Sequence, residues 1–408
     1  MILSAKADSG VKPLLMSIQD RYGLEALINA AGFPTIVGAN VAAPEVIEAV
    51  RQALAVNVEI DELQRRACQV IAQTTGAEAG CVTSSCSSAV SIAVAAAMTG
   101  PDFGRIQQLP DTTGMANEVI LQAAHDINFG APISQMVRLA GARVVRIGSA
   151  NHAGVFQLAS AFTPPTAAVL FVVSGAIQPE AQLLSLEQCV AEAGPRRIPV
   201  IVDASAEPDL RPYLRSGADL VVASGHKAIG APTSGLICGR KALVRACYLQ
   251  NWGIGRAMKV GKEGIVGLMA ALELWAKRDP AAERARLDQM AAIFDQRLSG
   301  RADLRPQRET NPRQLTLRVD HASGLTARRL ANLLREGHPP IWPSDATDSR
   351  GAGFVLVDLA RLSPQECRQI CERIVAIAQG PPEARQPAED LPYHDLYRSC
   401  QRLLRWPD

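Results

Sequence analysis

The stretch VVASGHKAIG (221–230) drives an apolar run into Ser224, Gly225, His226 and Lys227, then closes on Gly230. So short an apolar run before a glycine-bounded turn reads as a buried strand, and the turn it enters holds a lysine. Upstream, PVIVDAS (199–205) reads as a second buried strand ending on Asp203, and PDLRPYLRSG between the two has the spacing of a helix of about ten residues. Strand, helix and strand in that order form a parallel pair. Ligands of a doubly wound sheet collect outside the carboxyl ends of its strands, so Asp203 and Lys227 are expected to face one crevice.

The same alternation extends outward. EVILQAA (118–124), GARVVRIG (141–148) and AAVLFVVSG (167–175) are near-continuous apolar strands, as expected of a parallel sheet covered on both faces. GCVTSSCSSAVSIAVAAAMTG (80–100) reads as a short strand, a hydroxyl cluster (Thr83, Ser84, Ser85, Ser87, Ser88) and an alanine-rich helix. PEVIEAVRQALAVN and IDELQRRACQVIAQTTG have helical spacing, the second ending on Gly76 as a C-cap. Beyond Gly264 come long helices and then a small unit of QLTLRVD, TARRLANLLREG, GFVLVDL and SPQECRQICERIVAIAQG. No internal repeat is visible. The expected fold is therefore α/β, with a large, mostly parallel sheet flanked by helices and a smaller C-terminal α/β domain. The expected boundaries are an N-terminal segment at 1–30, the large domain at 31–280, the small domain at 281–380 and a Pro-rich appendage at 381–408.

Composition narrows the function. With 408 residues, 48% hydrophobic and 20% charged, the chain can bury a large core. Its 42 Lys and Arg against 40 Asp and Glu leave +2, so no overall field favours nucleic acid or an anionic membrane. A small molecule is the expected partner. No stretch has the length of a membrane span, no secretory leader is legible, and the nine cysteines lack CxxC or zinc spacing. A cytoplasmic protein with reduced thiols and no metal site is expected.

An amine, an acid and an anion site converge in this reading. The hydroxyl cluster stands between a strand and a helix N-terminus, where free N–H groups and the helix dipole favour a phosphate. Lys227 suits the aldehyde of pyridoxal phosphate, Asp203 its ring nitrogen, and Ser84, Ser85, Cys86 and Ser87 its phosphate. Ser224 is placed for a second phosphate contact, and Ser205 follows Asp203 into the same loop. A desolvated lysine of this kind forms an exchangeable imine and can then move the α-proton of an amino acid.

The block VDASAEPDLRPYLRSGADLVVASGHKAIGAPTSGLICGRKALV (202–244) resembles the core of fold-type I pyridoxal-phosphate enzymes. More narrowly, it resembles the group containing bacterial selenocysteine synthase and D-glucosaminate-6-phosphate ammonia-lyase. LINAAGFPTIVG (27–38), QMVRLAGARVVRIGSAN (135–151) and GRAMKVGKEGIVGLMAALE (255–273) resemble the group's other blocks in the same order. The resemblance spans about residues 20–375. It implies the PLP-dependent transferase architecture, a Schiff base on Lys227, Asp203 at the ring nitrogen, and a homodimer or larger homo-oligomer with active sites at subunit interfaces. The short stretch before LINAAG and the neutral charge favour the ammonia-lyase branch over one acting on tRNA. The related lyases resemble PPI.xR where this chain reads PPIWPSDATDSRG (339–351), so an arginine for a substrate carboxylate is displaced. Arg350, Arg361 and Lys259 are candidates to replace it.

Plainer readings stand beside several residues. The serines can simply cap the helix. His125 either stacks on the cofactor ring or is a partly buried or solvent-facing histidine. Lys259 and Lys262 either contact an anion at a neighbouring subunit or are solvated charges at a helix start. Cys86 either modulates the site or packs as a small thiol. The expected function is a PLP-dependent lyase on an amino acid, of β-elimination or ammonia-lyase type. Racemase or epimerase, β-replacement transferase, aminoacyl-tRNA transferase and non-catalytic binding module are the alternatives, because one carbanion serves several fates. The arginines of the tail, Arg398, Arg402 and Arg405, are the one hint of a nucleic-acid face.

Overall fold

The computed structural model describes residues 17–301, 303–320, 325–347 and 353–380. Arg350 and the stretch 381–408, with its arginines, lie outside the described residues. In chain order the strands are β1 (Ile28–Ala30), β2 (Ala79–Thr83), β3 (Glu118–Gln122), β4 (Arg143–Ile147), β5 (Thr166–Val172) and β6 (Val200–Asp203). They continue with β7 (Leu220–Ser224), β8 (Gly235–Gly239), β9 (Leu304–Arg308), β10 (Gln314–Val319), β11 (Ile341–Thr347) and β12 (Gly353–Asp358). The described residues form two compact units, Gly38–Arg278 and the residues on either side of it.

In the first unit seven strands lie in the order β2-β8-β7-β6-β5-β3-β4. The five from β7 to β4 are mutually parallel, while β8 runs antiparallel to both its neighbours. Side chains alternate across each strand, so Val119, Leu121, Ile201, Leu220 and Val222 feed one core. Ile120, Val200, Val202, Val221 and Ala223 feed the other. This period of two explains why the strands read as continuous apolar runs, since both faces are covered. The helix Cys86–Thr99 has 12 of its 14 residues buried, which its small side chains permit by letting it lie close against the sheet. The opposite face carries Pro44–Leu54, Ile60–Thr75 and Lys262–Ala276.

The helix expected over PDLRPYLRSG spans only Arg211–Arg215. Pro208 disfavours helix at Glu207, and Pro212 fits the first turn alone, so the chain has one short turn of helix to give.

The second unit is a five-stranded sheet in the order β1-β11-β12-β10-β9, parallel between β1 and β11 and antiparallel elsewhere. Helices Pro280–Arg297, Ala327–Glu336 and Pro364–Gln379 belong to this unit and share one core with the sheet, through Phe294, Leu330, Ile370 and Ile374.

Candidate active site

Asp203 ends β6, the middle strand of the seven-stranded sheet, with its backbone opposite Val172 of β5 and Val222 of β7. The side chain is buried. Its Oδ1 accepts the backbone N–H of Ser205 at 3.1 Å and lies 3.4 Å from the Cys86 thiol, which donates to it. Burial raises its carboxyl from the ordinary value to about 6, against the pull of the Cys86 hydrogen bond, the Lys227 charge and the Ser205 N–H. Cys86 is the first residue of its helix, and burial, reinforced by the Asp203 charge, holds its thiol far above the usual range. It is a weak donor here, and no nucleophile.

Lys227 sits in the single π-type turn Gly225–Ile229 that follows β7, with φ −98° and ψ −118° outside the helical region. Its Nζ donates to Ser205 Oγ at 3.2 Å. The amine meets the Ser205 hydroxyl, the Ser205 backbone N–H meets the Asp203 carboxylate and the Cys86 thiol meets that carboxylate, so the four residues are linked through both the side chain and the backbone of Ser205. Ser224, buried at the end of β7, pairs through Oγ with His226 Nδ1 at 3.1 Å. Burial, then the neighbouring Lys227 charge, pushes the His226 imidazole below its usual pKa, and its Nε2 is buried with no protein partner.

The hydroxyl cluster is largely knitted to itself. Ser85 Oγ accepts from Ser88 N at 3.1 Å and Ser88 Oγ from Ser85 N at 3.0 Å, a reciprocal capping box. Ser84 Oγ donates to Ser88 Oγ at 3.1 Å, Ser85 and Ser87 hydroxyls pair at 2.9 Å, and Thr83 donates to Ser85 O at 2.9 Å. These bonds use the N–H groups of Ser85 and Ser88 and leave out those of Cys86 and Ser87. On β8, a Cβ at Gly235 would stand 2.3 Å from the Ser85 carbonyl, so only glycine lets the strand approach this loop.

His125 follows β3 in the short turn Ala123–His125 and is buried. Its Nδ1 accepts the Val172 N–H at 3.1 Å and its ring meets Phe171 edge-on at 4.7 Å. Burial pushes it down to about 4, so it is neutral. Lys259 lines a cavity of about 1100 Å³ with Asp61, Trp252, Arg256 and Glu263, and neither Lys227 nor Asp203 is among the lining residues. Lys262 donates to the Val56 carbonyl. Arg361 belongs to the second unit, its guanidinium 5.9 Å from the centre of the Phe33 ring. Asn40, which no motif singles out, bonds the carbonyls of His226 and Ala231 on either side of Lys227.

The donor set fits pyridoxal phosphate. An amine and a carboxylate for its two ends are joined through one serine, and the helix that opens on Cys86, whose thiol lies 3.4 Å from that carboxylate, leaves the N–H groups of Cys86 and Ser87 unused. The orphaned His226 Nε2 beside Ser224 adds a buried polar atom that awaits a partner. Fold and site together define a fold-type I pyridoxal-phosphate enzyme.

The model of the L-seryl-tRNA selenium transferase (SelA) family matches residues 27–322, and the chain belongs to that family. Over 336 residues, 80% of this chain and 89% of the relative, it is 40% identical to a D-glucosaminate-6-phosphate ammonia lyase of Salmonella typhimurium. It is 37% identical over 359 residues to a 5'-C-glycyluridine monooxygenase-decarboxylase of a Streptomyces species, covering 86% of this chain and 90% of that one. A solved structure of D-glucosaminate-6-phosphate ammonia-lyase superposes with a TM-score of 0.79 at 37% identity, over 90% of this chain and 99% of that one.

Proposed function

We propose that this enzyme is a pyridoxal-phosphate-dependent lyase that removes the α-proton of an amino acid and expels a β-substituent, releasing a 2-oxo acid and ammonia. The observation that carries the reading is the contact run from Lys227 Nζ through Ser205 to Asp203. When bound, the cofactor supplies an electron sink for negative charge at the substrate's α-carbon. Asp203 would face the ring nitrogen, and a carboxyl near 6 is largely ionised at pH 7 and able to pair with a cation there. Lys227 would hold the aldehyde, and its ε-amine is the group that would move the α-proton, with Ser205 Oγ fixing where Nζ waits. Ser224 and the N–H groups of Cys86 and Ser87 would hold the phosphate, and His125 would wall the pocket as a neutral ring.

The 40% identity to an ammonia lyase supports elimination. The 37% identity to a monooxygenase-decarboxylase supports a second fate, oxidative loss of the carboxyl group. Incubating the loaded enzyme with D- and L-amino acids bearing β-hydroxyl groups separates the two. Ammonia and 2-oxo acid without oxygen uptake is the expected result, and oxygen uptake with carbon dioxide release replaces it with the second reading.

The exposed surface supports a homo-oligomer. Val41, Ile47, Leu54, Val56, Val58 and Ile60 are all exposed within twenty residues of chain, an apolar stretch that a second copy would cover. The eight described cysteines are free thiols, seven of them buried, which supports a reducing cytoplasmic setting.

A further inference from the structure

The turn that carries Lys227 is clasped from outside by a side chain far away in sequence. Within the turn, Gly225 N donates to Ser234 O and Ala231 N to Gly225 O, both at 2.8 Å, and Gly230 N donates to Lys227 O at 3.2 Å. None of these bonds uses the carbonyls of His226 or Ala231, the groups that flank the lysine. Asn40 takes both: its Nδ2 donates to His226 O and, at 3.2 Å, to Ala231 O. A carboxamide nitrogen has two hydrogens, so one side chain closes both edges of the turn. The backbone that presents Asn40 is held in an unusual path: Gly38 takes φ +84°, which glycine adopts freely, and the fully buried Ala39 takes φ +60°, a left-handed conformation that is strained for an alanine. Lys227 itself lies outside the helical region, so its backbone direction is imposed by the bonds around it and not by local preference.

We propose that Asn40 is a positioning residue for Lys227: by holding the turn at both edges it fixes the direction in which the ε-amine leaves the backbone, toward Ser205 and Asp203. This rests on the pyridoxal-phosphate reading above. Asn40 does not touch the reacting atoms and acts through the lysine. Losing the clasp leaves Lys227 able to hold the cofactor but in a looser geometry, so a competing small amine displaces it more readily.

The test uses the loaded, full-length protein and hydroxylamine as the competing amine. Asn40→Asp keeps the shape and removes the donor, and Asn40→Ser keeps one donor that reaches at most one carbonyl. In Asn40→Asp the bound chromophore is expected to be stripped by hydroxylamine at least about tenfold faster than in the wild type. Its visible band should titrate with a midpoint moved by about half a pH unit or more. Asn40→Ser should fall between, and it is the variant read if Asn40→Asp does not fold. Wild-type stripping rates and midpoints in the folded variants overturn the proposal. A wild type that takes up no chromophore removes the cofactor reading itself, which distinguishes that failure from a failure of Asn40.

Discussion

Cys86 and Asp203 set each other's proton affinity. In the cofactor-free protein the Asp203 carboxyl stands near 6, above its unfolded value of about 4, so folding favours its protonated form. The stability this gives is complete below about pH 4 and is lost as pH rises through about 6. Asp203→Asn removes that titration while keeping an acceptor for the Ser205 N–H. The stability of the wild type relative to this variant should therefore fall between pH 4 and 6 by about 1.4 kcal/mol per pH unit, read by chemical denaturation. Cys86→Ala deletes the donor that restrains the carboxyl, so the window should extend to higher pH. On catalysis, Asp203→Asn should lower kcat by at least about 100-fold while the cofactor stays bound, measured by turnover and absorbance. Asp203 and Lys227 were legible because each ends an apolar run at a glycine or serine boundary. Ser205 as their bridge was not, because a hydroxyl's partner depends on how two loops meet.

The C-terminal rim of β3, β5, β6 and β7 is the element that orders the site. His125 caps the end of β5 by accepting the Val172 N–H, and burial pushes its pKa down to about 4. Its contribution is present above about pH 6.5 and lost as pH falls through 4, the opposite sense to Asp203. His125→Phe leaves a buried N–H unpaired and should cost about 1–3 kcal/mol at pH 7, shrinking as pH falls from 6.5 to 4 in denaturation curves. Gly235→Ala sets a methyl against the Ser85 carbonyl, and the loop must shift. Weaker cofactor binding by about tenfold or more is expected, measured by equilibrium dialysis. The parallel strands were readable from sequence because burial on both faces makes them continuously apolar. Antiparallel β8 escaped, since GLICG is an equally apolar run with no mark of direction. Half-exposed β9, LRPQR, escaped because it has neither alternation nor continuity.

At the scale of the whole molecule, sequence distance hides partnership. The short strand β1 pairs with β11, more than three hundred residues on, and only register reveals it. Asn40 reaches His226 across 186 residues of chain. Exposed Leu54 and Val56 belong to no interior, and Leu54→Glu or Val56→Glu should convert an oligomer to a smaller species in analytical ultracentrifugation. Unchanged sedimentation would place the subunit contact elsewhere. The chemistry of the whole molecule turns on Lys227. The most direct test is to load the wild type and Lys227→Ala with pyridoxal phosphate, reduce both with borohydride, and map the peptides by mass spectrometry. The expected result is a yellow wild type that carries a pyridoxyl phosphate adduct on Lys227, and a variant with neither the colour nor that adduct. A wild type that stays colourless, or an adduct on another lysine, would contradict it.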